Sequence, residues 1–151
     1  MIDNGTIGKS GEFYIVKPQK TGLATVSVFV KGKLAGAPQF RVKDLPDPVA
    51  KIDGMRGGTI EKSRILNVPG LTAEIEGSDF NAPFKVVSFI IASTRKGFVV
   101  EEQSNDGSLT PAQKTMINSL APHSKIFFED IMAVGPDGQV RSLPMINFTL
   151  E

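Results

Sequence analysis

The chain has 151 residues with no cysteine and one histidine, which removes disulfides, thiolate nucleophiles and most transition-metal site designs. Seventeen basic against sixteen acidic side chains leave a net charge of +1, and Trp is absent with a single Tyr. Neither a field that attracts nucleic acid nor a broad aromatic platform is indicated, while 40% hydrophobic and 22% charged residues fit one medium or two small globular domains.

The opening residues Met1-Ile2-Asp3-Asn4-Gly5-Thr6 have neither a basic n-region nor an apolar h-region, so they are not a signal peptide. No apolar run approaches the ~20 residues that span a bilayer. Phe13 to Val16, Leu23 to Val30 and Phe40 with Val42 are predicted strands. In the second, Ala24, Val26, Val28 and Val30 share one face and Thr25, Ser27 and Phe29 the other, the pattern of a half-buried antiparallel sheet. Gln19 to Gly22 and Gly32 to Gly36 supply the turns. Leu45-Pro46-Asp47-Pro48 then reads as a stiff extended connector, which places a module boundary between residues 45 and 46. Residues 1–45 are expected to be the later strands of an immunoglobulin-like sandwich. Such a fold takes roughly 100 residues, so its opening strands are expected upstream of Met1.

Beyond the boundary, residues 46–151 are expected to form an α+β domain, an antiparallel sheet with one well-signalled helix. Val49 to Ile52 is a short strand, followed by Gly54-Met55-Arg56-Gly57-Gly58, where glycine permits positive φ or close backbone approach. Glu61 to Asn67 is a short helix stopped by Pro69-Gly70, and Leu71 to Glu76 alternates Leu71, Ala73 and Ile75 inward. Phe84 to Thr94 is apolar on both faces, a central strand, and Lys96-Gly97 marks a bend or bulge before Phe98 to Glu101. Thr110-Pro111-Ala112-Gln113 carries N-cap, N1 proline and a capping-box glutamine. Ala112, Met116, Ile117 and Leu120 continue as a helical stripe that Pro122 ends. Lys125 to Val134 and Ser142 to Leu150 are the closing strands, with a hairpin turn at Gly135-Pro136-Asp137-Gly138.

None of the chemistry-bearing residue types forms a convincing constellation. Gly8-Lys9-Ser10 resembles the end of a P-loop, but Asp3 stands where its first glycine belongs and a strand follows. Gly54-Met55-Arg56-Gly57 matches a bare GXXG, a backbone turn rather than a nucleic-acid clamp at this charge. Glu101-Glu102 and Glu129-Asp130 are adjacent on strands and point to opposite faces, so neither is a preset acid–base dyad, although Asp130 between apolar neighbours is a candidate for partial burial. His123, just past a helix end, suits the helix dipole better than a catalytic role. Asn4-Gly5-Thr6 and Asn147-Phe148-Thr149 are formal glycosylation sequons, triplets that arise often by chance. The lysines of the first block, with Arg41, read as edge-protecting charge or as a rim that steers an acidic partner.

The order of pieces does carry a resemblance. Pro46-Asp47-Pro48-Val49-Ala50-Lys51, Gly57-Gly58, Phe84-Lys85-Val86-Val87-Ser88-Phe89, Lys96-Gly97-Phe98, the Thr110 helix, Phe128-Glu129-Asp130-Ile131 and Gly135-Pro136-Asp137-Gly138 resemble the last domain of the GldM/PorM family of the gliding-motility and type IX secretion machinery. Gly11 to Pro18 and Gly22 to Val26 are similar to the end of that family's penultimate domain.

The resemblance implies a dimeric periplasmic shaft, anchored in the inner membrane by an N-terminal helix outside this chain. It implies a GldL/PorL-type motor protein at the membrane, and a ring of GldK/PorK-type lipoprotein and GldN/PorN-type protein at the far end. A non-catalytic binding module is expected, without cofactor, metal or nucleic acid. Arg95, Lys96, Gly97 and Phe98 are the expected partner contact, an apolar side chain beside a flexible glycine near strand edges. Open edges in the first module also predict dimerisation or strand exchange. The competing readings are a carbohydrate- or peptide-binding accessory module, and a small hydrolase using scattered carboxylates.

Overall fold

Paired strands make most of the computed structural model, which describes residues 1–78 and 81–151. Two units separate between Leu45 and Pro46. The first contains three strand pairs. Strands β1 (Gly5–Ser10) and β2 (Phe13–Pro18) form a hairpin, with Gly11 at φ 60° in the first loop position as a type II′ turn requires. Strand β3 (Gly22–Thr25) pairs with β6 (Gln39–Val42), and β4 (Val28–Val30) pairs with β5 (Lys33–Gly36).

The single strand expected over Leu23 to Val30 is therefore two strands with different partners. It breaks at Val26 and Ser27, whose N–H groups donate to Pro38 O at 2.9 Å and Met1 O at 2.8 Å. Alternation continued through the break, but the shared face did not: Ala24 is buried, whereas Val28 and Val30 are 46% and 58% exposed. The expected turn over Gly32 to Gly36 is confined to Lys31-Gly32, both at positive φ, and the rest is β5. Ala24 is the one buried hydrophobic side chain described in this unit, with Leu23, Phe29, Leu34 and Phe40 exposed.

The second unit has a real core. Its elements are β7 (Val49–Lys51), β8 (Gly57–Ile60), α1 (Lys62–Asn67), β9 (Thr72–Glu74), β10 (Lys85–Arg95), β11 (Phe98–Ser104), α2 (Pro111–Ser119), β12 (Lys125–Val134), β13 (Val140–Leu143) and β14 (Ile146–Leu150). The main sheet runs β11-β10-β12-β14-β8, with β13 also on β12, while β7 and β9 form a separate pair. Its pairings are antiparallel except β14 with β8, so the fold is mainly β, α+β in class, with one parallel edge added to the expected antiparallel sheet.

The closing strand expected over Ser142 to Leu150 is likewise two, β13 and β14, interrupted at Pro144-Met145, since proline has no N–H to give a ladder. The two lie end to end along β12, whose own register shifts by an inserted residue near Asp130. Asp130 sits there at φ 49° and is exposed, against the expectation of partial burial. A carboxylate in a bulge stays in water at little cost.

One face of the sheet is dry. Phe128 lies 6.2 Å from Phe89 and meets Phe148 edge-on at 6.0 Å, a stack of rings joined by Ile65 of α1 and by Met116, Ile117 and Leu120 near α2. Each fully buried ring of this kind stabilises the fold by about 1.5–3 kcal/mol through area removed from water. Helix α2 keeps its capping box: Gln113 N donates to Thr110 Oγ1 at 3.1 Å and Thr110 N to Gln113 Oε1 at 3.0 Å. Ala112, expected in the apolar stripe, is exposed, and the fully buried Gln113 takes the inward place, its Nε2 donating to Glu102 O at 3.0 Å. Pro69-Gly70 marks a backbone crossing as well as a helix stop: a Cβ on Gly70 would fall 1.8 Å from Gly107 O.

Candidate partner-binding surface

Residues 95–98 form a hairpin tip. Arg95 pairs with Phe98 across a two-residue loop, and Lys96 and Gly97 have φ 49° and 82°. This is a type I′ turn, which corrects the expected bend or bulge; the two positive φ values match the twist of the flanking strands. Arg95 Nη1 donates to Ser119 Oγ at 3.1 Å, tying the tip to the end of α2. Phe98 and Val99 stand out at 76% and 69% exposure. The four expected contact residues are thus contiguous, with the apolar one presented to solvent.

Strand β11 is an edge of the sheet, longer than the other edge β8, and paired with β10 without a register shift from Phe89↔Ser104 to Arg95↔Phe98. Its Val100 and Glu102 face α2. Val99 and Glu101 face the other side, where with Ala92, Phe127, Glu129 and Met145 they line a shallow recess of about 280 Å³. Ala92 in that recess is buried, so its floor is apolar. Glu101 and Glu129 stand at its sides, and neither takes part in an ion pair among the described residues.

Other charged groups are occupied structurally. Lys51 Nζ lies 3.1 Å from both Glu74 and Glu76, and Arg56 lies 2.8 Å from Glu76; hydrogen bonds to Glu74 and then Glu76 raise the Lys51 pKa. Arg64 pairs with Asp53. Arg141 stacks 5.3 Å over Phe84, holds Asp137 at 2.6 Å and approaches Asp47 at 3.3 Å. Hydrogen bonding from Arg141, then from the Gln139 N–H, lowers the Asp137 carboxyl to about 2. Lys62 of α1, and not His123, supplies the cation at the end of α2, donating to Asn118 O at 3.2 Å and Leu120 O at 2.6 Å. His123 turns the chain at φ 65° and its N–H donates to Leu150 O at 2.8 Å. A lysine so far away in sequence gives no local signal, so sequence reasoning favoured the nearby histidine.

Near neutrality hides a division: residues 1–45 carry seven basic and three acidic side chains, residues 46–151 ten and thirteen. No group of three or more metal-ligating side chains occurs among the described residues. Phe13 and Tyr14, both exposed, are neighbours on β2 and so point to opposite faces, which makes no single sugar platform. No helix among the described residues is long and apolar enough to cross a membrane.

Residues 46–151 match the family model described as GldM C-terminal domain. Comparison with curated proteins gives no match.

Proposed function

The chain belongs to the GldM family through that C-terminal domain, a component of the gliding-motility and type IX secretion machinery, and from this premise we propose that it is a coupling element whose β11 hairpin edge contacts a ring at the outer membrane. The domain is periplasmic in its family. In this reading the parent protein is a dimeric shaft anchored in the inner membrane, working with a GldL/PorL-type motor protein. The ring is built from GldK/PorK-type lipoprotein and GldN/PorN-type protein. No bond is made or broken by the chain itself; force passes through packed elements to a docking surface.

The observation that carries the reading is the hairpin at Arg95 to Phe98, where an apolar side chain is 76% exposed at the end of an unpaired sheet edge. Large exposed apolar groups rimmed by polar ones mark contact surfaces. The first unit fits the later strands of an immunoglobulin-like module, since its strands are paired in twos and its apolar faces lie open.

The test is capture of ring components from solubilised envelopes on the immobilised chain, compared with Phe98→Asp. The wild-type chain is expected to recover the lipoprotein or its ring partner, and the substitution to weaken recovery about tenfold or more, as loss of an aromatic contact anchor does. Full recovery with folded Phe98→Asp would overturn the assignment of the contact.

A further inference from the structure

We propose that the β11 edge binds its partner by strand addition, and that the added strand presents an apolar and a basic residue two positions apart, on one face. The inference rests on the contact surface assigned above and specifies the chemistry of what docks there.

The backbone gives the first part of the argument. In a hairpin with a two-residue type I′ loop, the residues flanking the loop exchange both hydrogen bonds, and bonded and non-bonded pairs then alternate. Arg95↔Phe98 is the flanking pair, so Val99, Glu101 and Gln103 direct their N–H and C=O groups away from β10. Among the described residues, none of the three is engaged by the backbone of another segment. The usual protections of an edge are charged side chains (lysine above all), proline or a bulge, and of these β11 has only the carboxylates of Glu101 and Glu102. Between Phe98 and Ser104 there is no proline and no lysine, and the register is unbroken.

The side chains give the second part. A strand laid beside β11 places alternate residues over the open face, next to Val99 and Glu101. That neighbourhood is an apolar floor with two carboxylates, Glu101 and Glu129, that lack ion-pair partners among the described residues. Apolar side chains opposite Val99 and a lysine or arginine opposite Glu101 satisfy both features, whereas an acidic strand meets like charge.

The test uses the whole chain, isotopically labelled, with a peptide whose same-face positions carry valine and lysine in turn, threonine standing between them, as the probe and its counterpart with glutamate for lysine as the control. The lysine peptide is expected to shift the Val99, Glu101 and Gln103 amides and slow their exchange, and to bind about tenfold or more tightly than the control, an advantage reduced by salt. Glu101→Pro removes one outward donor while leaving the β10–β11 ladder intact, and abolishes the effect; Val99→Lys, a side-chain change on the same edge, weakens it in a protein whose fold is untouched. Shifts on another surface, equal binding of both peptides, or undiminished binding by Glu101→Pro would overturn the inference. So would a doubled mass that Glu101→Pro abolishes, because the edge would then belong to a second copy of the chain. Ring capture unchanged in Glu101→Pro would remove strand addition and leave the coupling role standing. Peptide binding without ring capture would do the reverse.

Discussion

At the residue scale, the charges that matter to the fold are those held between elements. Asp137 is the clearest case. Its carboxyl, ordinarily at 3.8, lies at about 2 because Arg141 and the Gln139 N–H hydrogen-bond its charged form. A folded pKa below the unfolded one means the stabilisation is full above about pH 4 and is lost as pH falls through 2. Asp137→Asn is therefore expected to lower stability at neutral pH and to flatten its fall between pH 4 and pH 2, read from urea midpoints across that range. An acid profile parallel to that of the wild type would contradict this role. The turn Gly135-Pro136-Asp137-Gly138 was legible because its signal is local: Gly138 takes φ 75° and its N–H donates to Gly135 O at 3.0 Å. The partners of Asp137 were not legible in the same way, since Arg141 earns its position over Phe84 through contacts far apart in sequence.

At the element scale, helix α2 was the most readable piece, and its one misreading is instructive. The capping box fixed its start, yet the same box carried Gln113 into the core in place of Ala112. Gln113→Leu leaves the Thr110 N–H without its partner and takes from the Glu102 carbonyl a second donor beside its ladder bond, and is expected to cost about 1–3 kcal/mol in chemical denaturation. Ala112→Glu, on the exposed face, is expected to change little; equal losses from both would contradict the assignment. Strand boundaries were harder. Period-2 alternation reports which face a side chain occupies and is silent about which strand lies beside it, so Leu23 to Val30 and Ser142 to Leu150 each read as one element. Strands β1 and β8 escaped notice because Gly5, Gly8, Gly57 and Gly58 dilute their apolar pattern. Nothing local in Gly57 to Ile60 announces a parallel partner at Asn147 to Leu150.

At the scale of the whole molecule, the two units differ in kind. Residues 46–151 bury a continuous core, while residues 1–45 hold paired strands with Phe29, Leu34 and Phe40 exposed. Such faces are covered by association. Light scattering is expected to return the mass of two chains, and the mass of a single chain at working concentration would contradict the dimer. The proposed contact surface was only partly readable from the sequence. Lys96-Gly97-Phe98 drew attention as an apolar residue beside glycine, but the unpaired edge exists only once β11 has been placed outside β10. The most direct measurement is a photo-crosslinker in place of Phe98 in the parent protein, activated in intact envelopes. The account predicts covalent capture of the ring lipoprotein or its partner protein from this position and not from Lys114, a surface residue of α2. Capture of the ring from Lys114 alone, with none from position 98, would contradict it.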